Sequence, residues 1–272
     1  MKNEENKALG AALGVLGPLI FYELCTEAAA WVCSLFGTQD ALAVTGGGAL
    51  LALPFLWAAY RRKLRLDAGE RDAGAGQAPR TDRLRCTGQP QRRGSMLAGC
   101  VFSVLIGIGA CLCLNVLLQL LIPPSDGWQS TREAVYGTSI ALQVLVTVVL
   151  APLTEELLFR GLIRAELRVH MEPRRAALLG TLLFGLYHGN ISQGIYAFLL
   201  ALGLELVCEW SGSLLPAICL HAGANGAAIC LTALTSGAAA AFNLPDATFF
   251  AAAGVILTTA ALYKTKEVFC KL

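Results

Sequence analysis

Three short stretches of the chain hold polar residues in apolar surroundings. They are Thr154-Glu155-Glu156-Leu157-Leu158-Phe159-Arg160, Phe184 to Asn190 and Ser213 to Asn225. Glu156 and Arg160 are four apart, so on a helix they share a face and can pair. Glu155 points about a quarter-turn away, because successive helical residues turn by roughly 100°. One carboxylate can then be neutralised by the arginine while the other faces a cavity. Phe184 and His188 are also four apart, as are His221 and Asn225. Each stretch alone has a plain structural reading: an ion pair ending a helix, an interfacial histidine, a helix–helix hydrogen bond. Together they supply a base, a second proton carrier and neutral hydrogen-bond donors. If the three helices pack together, that set suits hydrolysis of an acyl bond by an activated water.

The elements that must position these groups are membrane helices. The chain has 272 residues, 56% of them apolar and 15% charged. Its mean hydropathy is +0.60. Soluble domains run at about 45–50% apolar and about 25% charged. A spanning helix needs about 20 mostly apolar residues. About eight runs qualify as candidates: 8–36, 41–60, 97–122, 134–153, 176–188, 194–210, 213–235 and 248–263. The fifth and sixth are short, and the first is expected to tilt or break near Pro18. The fold class is therefore all-α, a polytopic transmembrane bundle of about eight spans. Glu155 and its neighbours fall at the inner end of the fourth run.

Charge sets the orientation. Residues 61–95 carry Arg61, Arg62, Lys63, Arg65, Arg71, Arg80, Arg83, Arg85, Arg92 and Arg93 against four acids. This segment reads as a basic cytoplasmic loop facing anionic lipid, not as a nucleic-acid site. Arg160, Arg164, Arg168, Arg174 and Arg175 then fall inside, as do Lys264, Lys266 and Lys271. The loops expected outside, 37–40, 123–133, 189–193 and 236–247, hold a single basic residue, Arg132. Both termini are expected in the cytoplasm of a multi-pass protein, in the plasma membrane if the source is bacterial. The leader holds Glu4 and Glu5 beside Lys2 and Lys7, so cleavage after Ala28-Ala29-Ala30 is not expected.

Other polar residues carry less. The ten cysteines form no C-x-x-C pair and read as small buried hydrophobes. His170 is expected to be solvated. Glu205 and Glu209 read as helix-end acids that snorkel to water. No H-E-x-x-H is present, so the zinc-metalloprotease pattern fails. Gly137-Thr138-Ser139-Ile140 is not a G-x-S-G serine motif, and Asp126 and Asp246 fall in expected loops. No inverted repeat of the transporter kind is visible.

In order and spacing, E-E-x-x-x-R at Glu155 to Arg160, F-x-x-x-H at Phe184 to His188 and H-x-x-x-N at His221 to Asn225 resemble the CPBP intramembrane protease family. That family is also called Abi or CAAX-protease-like. It includes the type II CAAX prenyl endopeptidases and bacterial bacteriocin-immunity and lysostaphin-resistance-type proteins. Gly212-Ser213-Leu214-Leu215-Pro216 also looks like the family's lead-in to the third motif. The resemblance implies a catalytic core over 134–235. N-terminal membrane helices and the basic loop would occupy 1–133, and a last helix with a basic tail 236–272. It implies an endopeptidase acting on a membrane-associated or C-terminally modified, CAAX-like substrate, with membrane lipid as its other partner. Glu155 would activate water, with His188 sharing or relaying the proton. His221 and Asn225 would stabilise the oxyanion, and Glu156 and Arg160 would organise the helix and tune Glu155. Glu155, His188 and His221 could instead hold zinc as an open three-ligand site. The rival reading is a non-catalytic immunity or scaffold protein that keeps the motifs for packing.

Overall fold

The computed structural model describes residues 2–38, 40–72, 95–122, 126–236 and 244–270, and among them it is all-helical. The helices are α1 (Lys2–Leu35), α2 (Ala41–Asp72), α3 (Met96–Leu121), α4 (Asp126–Tyr136), α5 (Ile140–His170), α6 (Pro173–Tyr187), α7 (Ile191–Ser211), α8 (Leu214–Ser236) and α9 (Leu244–Cys270). Seven of them (α1, α2, α3, α5, α7, α8 and α9) contain stretches long and apolar enough to cross a membrane. The expected helical bundle is what the chain forms.

Several boundaries differ from expectation. The run at 176–188 becomes α6, whose 15 residues rise only about 22 Å. Residues 123–133 were expected to be an outside loop, yet α4 begins at Asp126. Hydropathy misses it because it is polar, but Gln129, Arg132, Glu133 and Ala134 are helix formers. Asp246 likewise lies in the first turn of α9, not in a loop. The basic segment is helical as far as Asp72, and its remainder at 73–94 lies outside the described residues. Pro18 does not break α1. The fourth run starts later and ends later than expected, at Ile140 and His170, so Glu155 sits near the middle of a 31-residue helix.

α1 packs on α2, α2 on α5, and α6 on α7. α3 packs between α8 and α9. These crossings are close because small residues line them. A Cβ on Gly223 would lie 2.6 Å from the Val104 carbonyl oxygen, and one on Gly109 would lie 2.8 Å from that of Gly254. Packing between membrane helices relies on such close approach, since lipid offers no hydrophobic drive to associate. The interior is built from Leu158, Phe159, Ile163, Phe184, Leu204 and Leu220, all fully or almost fully buried. Leu13, Trp31, Phe55, Leu186, Phe249 and Ile256 are exposed, as lipid-facing side chains must be. The described cysteines form no disulfide, and of these only Cys111 and Cys208 are buried while Cys230 and Cys270 are exposed.

Two ends of the bundle can be told apart. The C-terminal halves of α2 and α5 meet at one end, where Lys63 pairs with Glu166 at 3.0 Å and Glu166 also faces His170 at 3.2 Å. At the other end the α6–α7 turn carries Gly189 with φ of +74°, a conformation that favours glycine. Asn190 then caps α7 by accepting from the Gln193 N–H and donates to Thr131 Oγ1 of α4.

Candidate active site

The geometry of α5 departs from a regular helix on either side of the two glutamates. Val144–Leu150 and Leu157–Ile163 are wide, π-type turns flanking Ala151–Glu156. Such turns are rare and frequently mark functional sites. Their local effect here is specific. The Ala151 N–H bonds the carbonyl of Val146, five residues back, instead of that of Thr147. The Thr147 carbonyl therefore has no α-helical donor, and Asn225 Nδ2 of α8 donates to it at 2.7 Å. Pro152, which lacks an N–H, follows directly and cannot restore the usual pattern.

Glu156 points into the core and is fully buried. Its Oε1 accepts from Arg160 Nη1 at 3.1 Å and lies 2.9 Å from His221 Nδ1. The expected i,i+4 pair thus forms, with His221 of α8 added to it. The Arg160 guanidinium lies over the Phe184 ring, 4.4 Å from its centre. Phe184 in turn stands edge-on to both His188 and His221, at 4.9 and 5.8 Å between ring centres. One aromatic ring therefore holds the arginine and both histidines in place.

Glu155 takes the other direction. It lines a cavity of about 1370 Å³ together with His188, His221 and Asn225. Its Oε2 is buried with no hydrogen-bond partner and lies 3.9 Å from His221 Nε2. A hydrogen bond from His221 Nδ1 to the Glu156 carboxylate places a proton on Nδ1, so Nε2 is the nitrogen turned toward Glu155. His188 Nδ1 is 2.8 Å from the Phe184 carbonyl and, by the same reasoning, donates to it. No hydrogen bond among the described residues joins His188 to Glu155. The structure therefore brings Glu155, His221, Asn225 and His188 to one wall system, with Glu156 and Arg160 behind it.

The three residues offered for zinc do not form a ligand cluster. Among the described residues no three His, Cys, Asp or Glu side chains converge as a metal site. His221 Nδ1 is turned to Glu156, and its Nε2 is the one ring nitrogen left for the cavity.

Sequence reasoning missed the supports of this site. Glu205 and Glu209 do not snorkel. Glu205 lies 2.9 Å from Arg164 and 3.8 Å from Arg168, and Glu209 lies 2.5 Å from Arg168 and 4.0 Å from Arg164. Both arginines are buried, so they do more than mark the inner side as the sequence suggested. The signal was present: two arginines four apart facing two glutamates four apart. Tyr22 of α1 is buried beside Thr154 and within electrostatic reach of Glu155, and its ring stands 6.2 Å from that of Tyr187. Nothing in the sequence ties residue 22 to residue 155.

A family model described as Type II CAAX prenyl endopeptidase Rce1-like matches residues 137–227. That stretch contains all seven motif residues, and the match bears out the resemblance read from them. Comparison with curated proteins and with solved structures gives no match.

Proposed function

From the likeness of residues 137–227 to the type II CAAX prenyl endopeptidases, we propose that this multi-pass membrane protein is an intramembrane endopeptidase. It hydrolyses a peptide bond of a membrane-associated substrate by a Glu155-activated water. One observation carries this reading. A buried carboxylate oxygen with no partner faces a histidine nitrogen 3.9 Å away on the wall of a large cavity. That gap is too wide for a direct hydrogen bond and leaves both groups to hold a water.

In this mechanism Glu155 takes a proton from the water as oxygen attacks the substrate carbonyl. The carbonyl oxygen gains the negative charge. His221 sits between two carboxylates, and in its charged form both ring nitrogens donate, Nδ1–H to Glu156 and Nε2–H into the cavity. An amide NH₂ has two donors, so Asn225 can keep its bond to Thr147 and present the second N–H to the oxyanion. One such donor contributes about 2.7–4 kcal/mol to the transition state. The proton held by Glu155 then passes to the leaving amine, directly or through His188, and the C–N bond breaks. Glu156 and Arg160 position His221 and do not touch the substrate. No step is assigned to a metal.

The test compares membrane and released peptides from cells carrying the wild-type chain with those carrying Glu155→Gln. A precursor that accumulates only with the variant supports the reading and identifies the substrate. Identical profiles from well-expressed, folded proteins would favour a non-catalytic immunity or scaffold role.

A further inference from the structure

The described residues that line the cavity lie from Glu155 toward one end of the bundle. Beyond Glu155 it is lined by Thr45 at the start of α2, Gln119 at the end of α3, Arg132 of α4, Gln193 at the start of α7 and Thr232 near the end of α8. All of these lie at the end of the bundle where α4 sits. From Glu155 to Ile140, where α5 begins, is about 22 Å of helix.

Among the described residues the opposite end is closed. Directly behind Glu155 lies the buried Glu156–Arg160–His221 cluster. Beyond that, Arg164 and Arg168 pair with Glu205 and Glu209 between α5 and α7. A recess beside Tyr60, Arg160 and Arg164 measures about 10 Å³, about the space of a single water.

The two ends also differ in charge. The closed end carries Arg61, Arg62, Arg65, Arg174, Arg175, Lys264 and Lys266. At the end with the mouth, Arg132 is the one basic residue among the described helix ends and turns. Basic residues flanking membrane helices are retained in the cytoplasm. We infer that the cavity holding Glu155 opens to the non-cytoplasmic face, and that its substrates are membrane-anchored polypeptides whose scissile segment is presented on that side. A polypeptide tail modified in the cytoplasm would meet the sealed end. The substrate class rests on the peptidase reading above, whereas the side of access does not.

Accessibility to a membrane-impermeant maleimide tests it, read peptide by peptide by mass spectrometry so that native cysteines do not interfere. Three variants serve: Ala228→Cys on the cavity wall, Glu133→Cys on α4 and Arg175→Cys at the basic end. The expected pattern is labelling of Ala228→Cys and Glu133→Cys in intact cells, and of Arg175→Cys only in inside-out vesicles. Labelling of Ala228→Cys from inside-out vesicles alone overturns the inference. So does its failure to label from either face while Glu133→Cys labels in intact cells, and so does a reversed pattern for Glu133→Cys and Arg175→Cys. Thermal unfolding of each variant in detergent establishes that it is folded, and Ala233→Cys on the same helix replaces Ala228→Cys if that variant is not. If the labelling holds but Glu155→Gln leaves the peptide profile unchanged, the peptidase reading falls and the access inference stands. The reverse combination separates them the other way.

Discussion

Asn225 is fixed to the backbone of Thr147, 2.7 Å away on another helix, through a carbonyl that the wide turn of α5 leaves without its usual donor. The third motif is thereby held against the helix that carries the first. A buried polar group in a membrane helix must find such a partner, and here the partner exists only because α5 is irregular.

Replacing Asn225 with Ala removes this anchor and, in the proposed mechanism, an oxyanion donor. We expect turnover to fall by about 10²–10³-fold. Stability should also fall, by about 1–3 kcal/mol, because the Thr147 carbonyl is left unpaired. Peptide hydrolysis and thermal unfolding of purified protein in detergent check both.

Glu155→Gln should abolish hydrolysis, with general-base catalysis typically supplying about 10²–10⁴-fold. The fold should survive, since Glu155 Oε2 has no hydrogen bond to lose. Full activity in the purified variant would sink the assignment, and loss of folding would point to a structural role.

Arg160→Leu is expected to behave oppositely, losing stability first. Removing one partner of a buried ion pair costs about 3–5 kcal/mol, and Glu156 is fully buried. Adding Glu156→Gln to Arg160→Leu should recover part of the loss, which a double-mutant cycle measures.

Glu205→Ala and Glu209→Ala together should destabilise more than the sum of the two single changes. Each carboxylate lies within 4.0 Å of both Arg164 and Arg168, so either one partly covers for the other. Strict additivity would show that the four charges do not act as a network.

Chelators should leave hydrolysis unchanged, because no group of His, Cys, Asp and Glu among the described residues converges on a metal. Loss of activity on chelation, restored by zinc, would require His188 to join Glu155 and the His221 Nε2 that already faces it.

The helical fold and the meeting of three motifs were legible in the sequence, because apolar run length and four-residue spacing are local signals. Glu156 and Arg160 pair as their spacing suggested. Tyr22 was not legible, since its position beside Thr154 depends on how α1 leans on the bundle. From sequence the arginines at 164 and 168 read only as orientation charges, and packing against α7 reveals their buried partners. α4 was missed because hydropathy registers membrane helices and overlooks a polar one.

The wide turns of α5 also change what a single-residue deletion would mean. Each accommodates an additional residue, and a helix advances about 100° per residue. Between Ile140 and Arg164 the azimuth is therefore retarded twice relative to an uninterrupted α-helix. Deleting one residue from Val144–Leu150 would turn the wide turn into an ordinary α-helical one, leaving Glu155 on the cavity wall but removing the free carbonyl that Asn225 binds. The same deletion in a regular helix would rotate every downstream side chain by about 100°, so the two wide turns are the places where α5 can change length without losing the bearing of the glutamates and the arginines that follow.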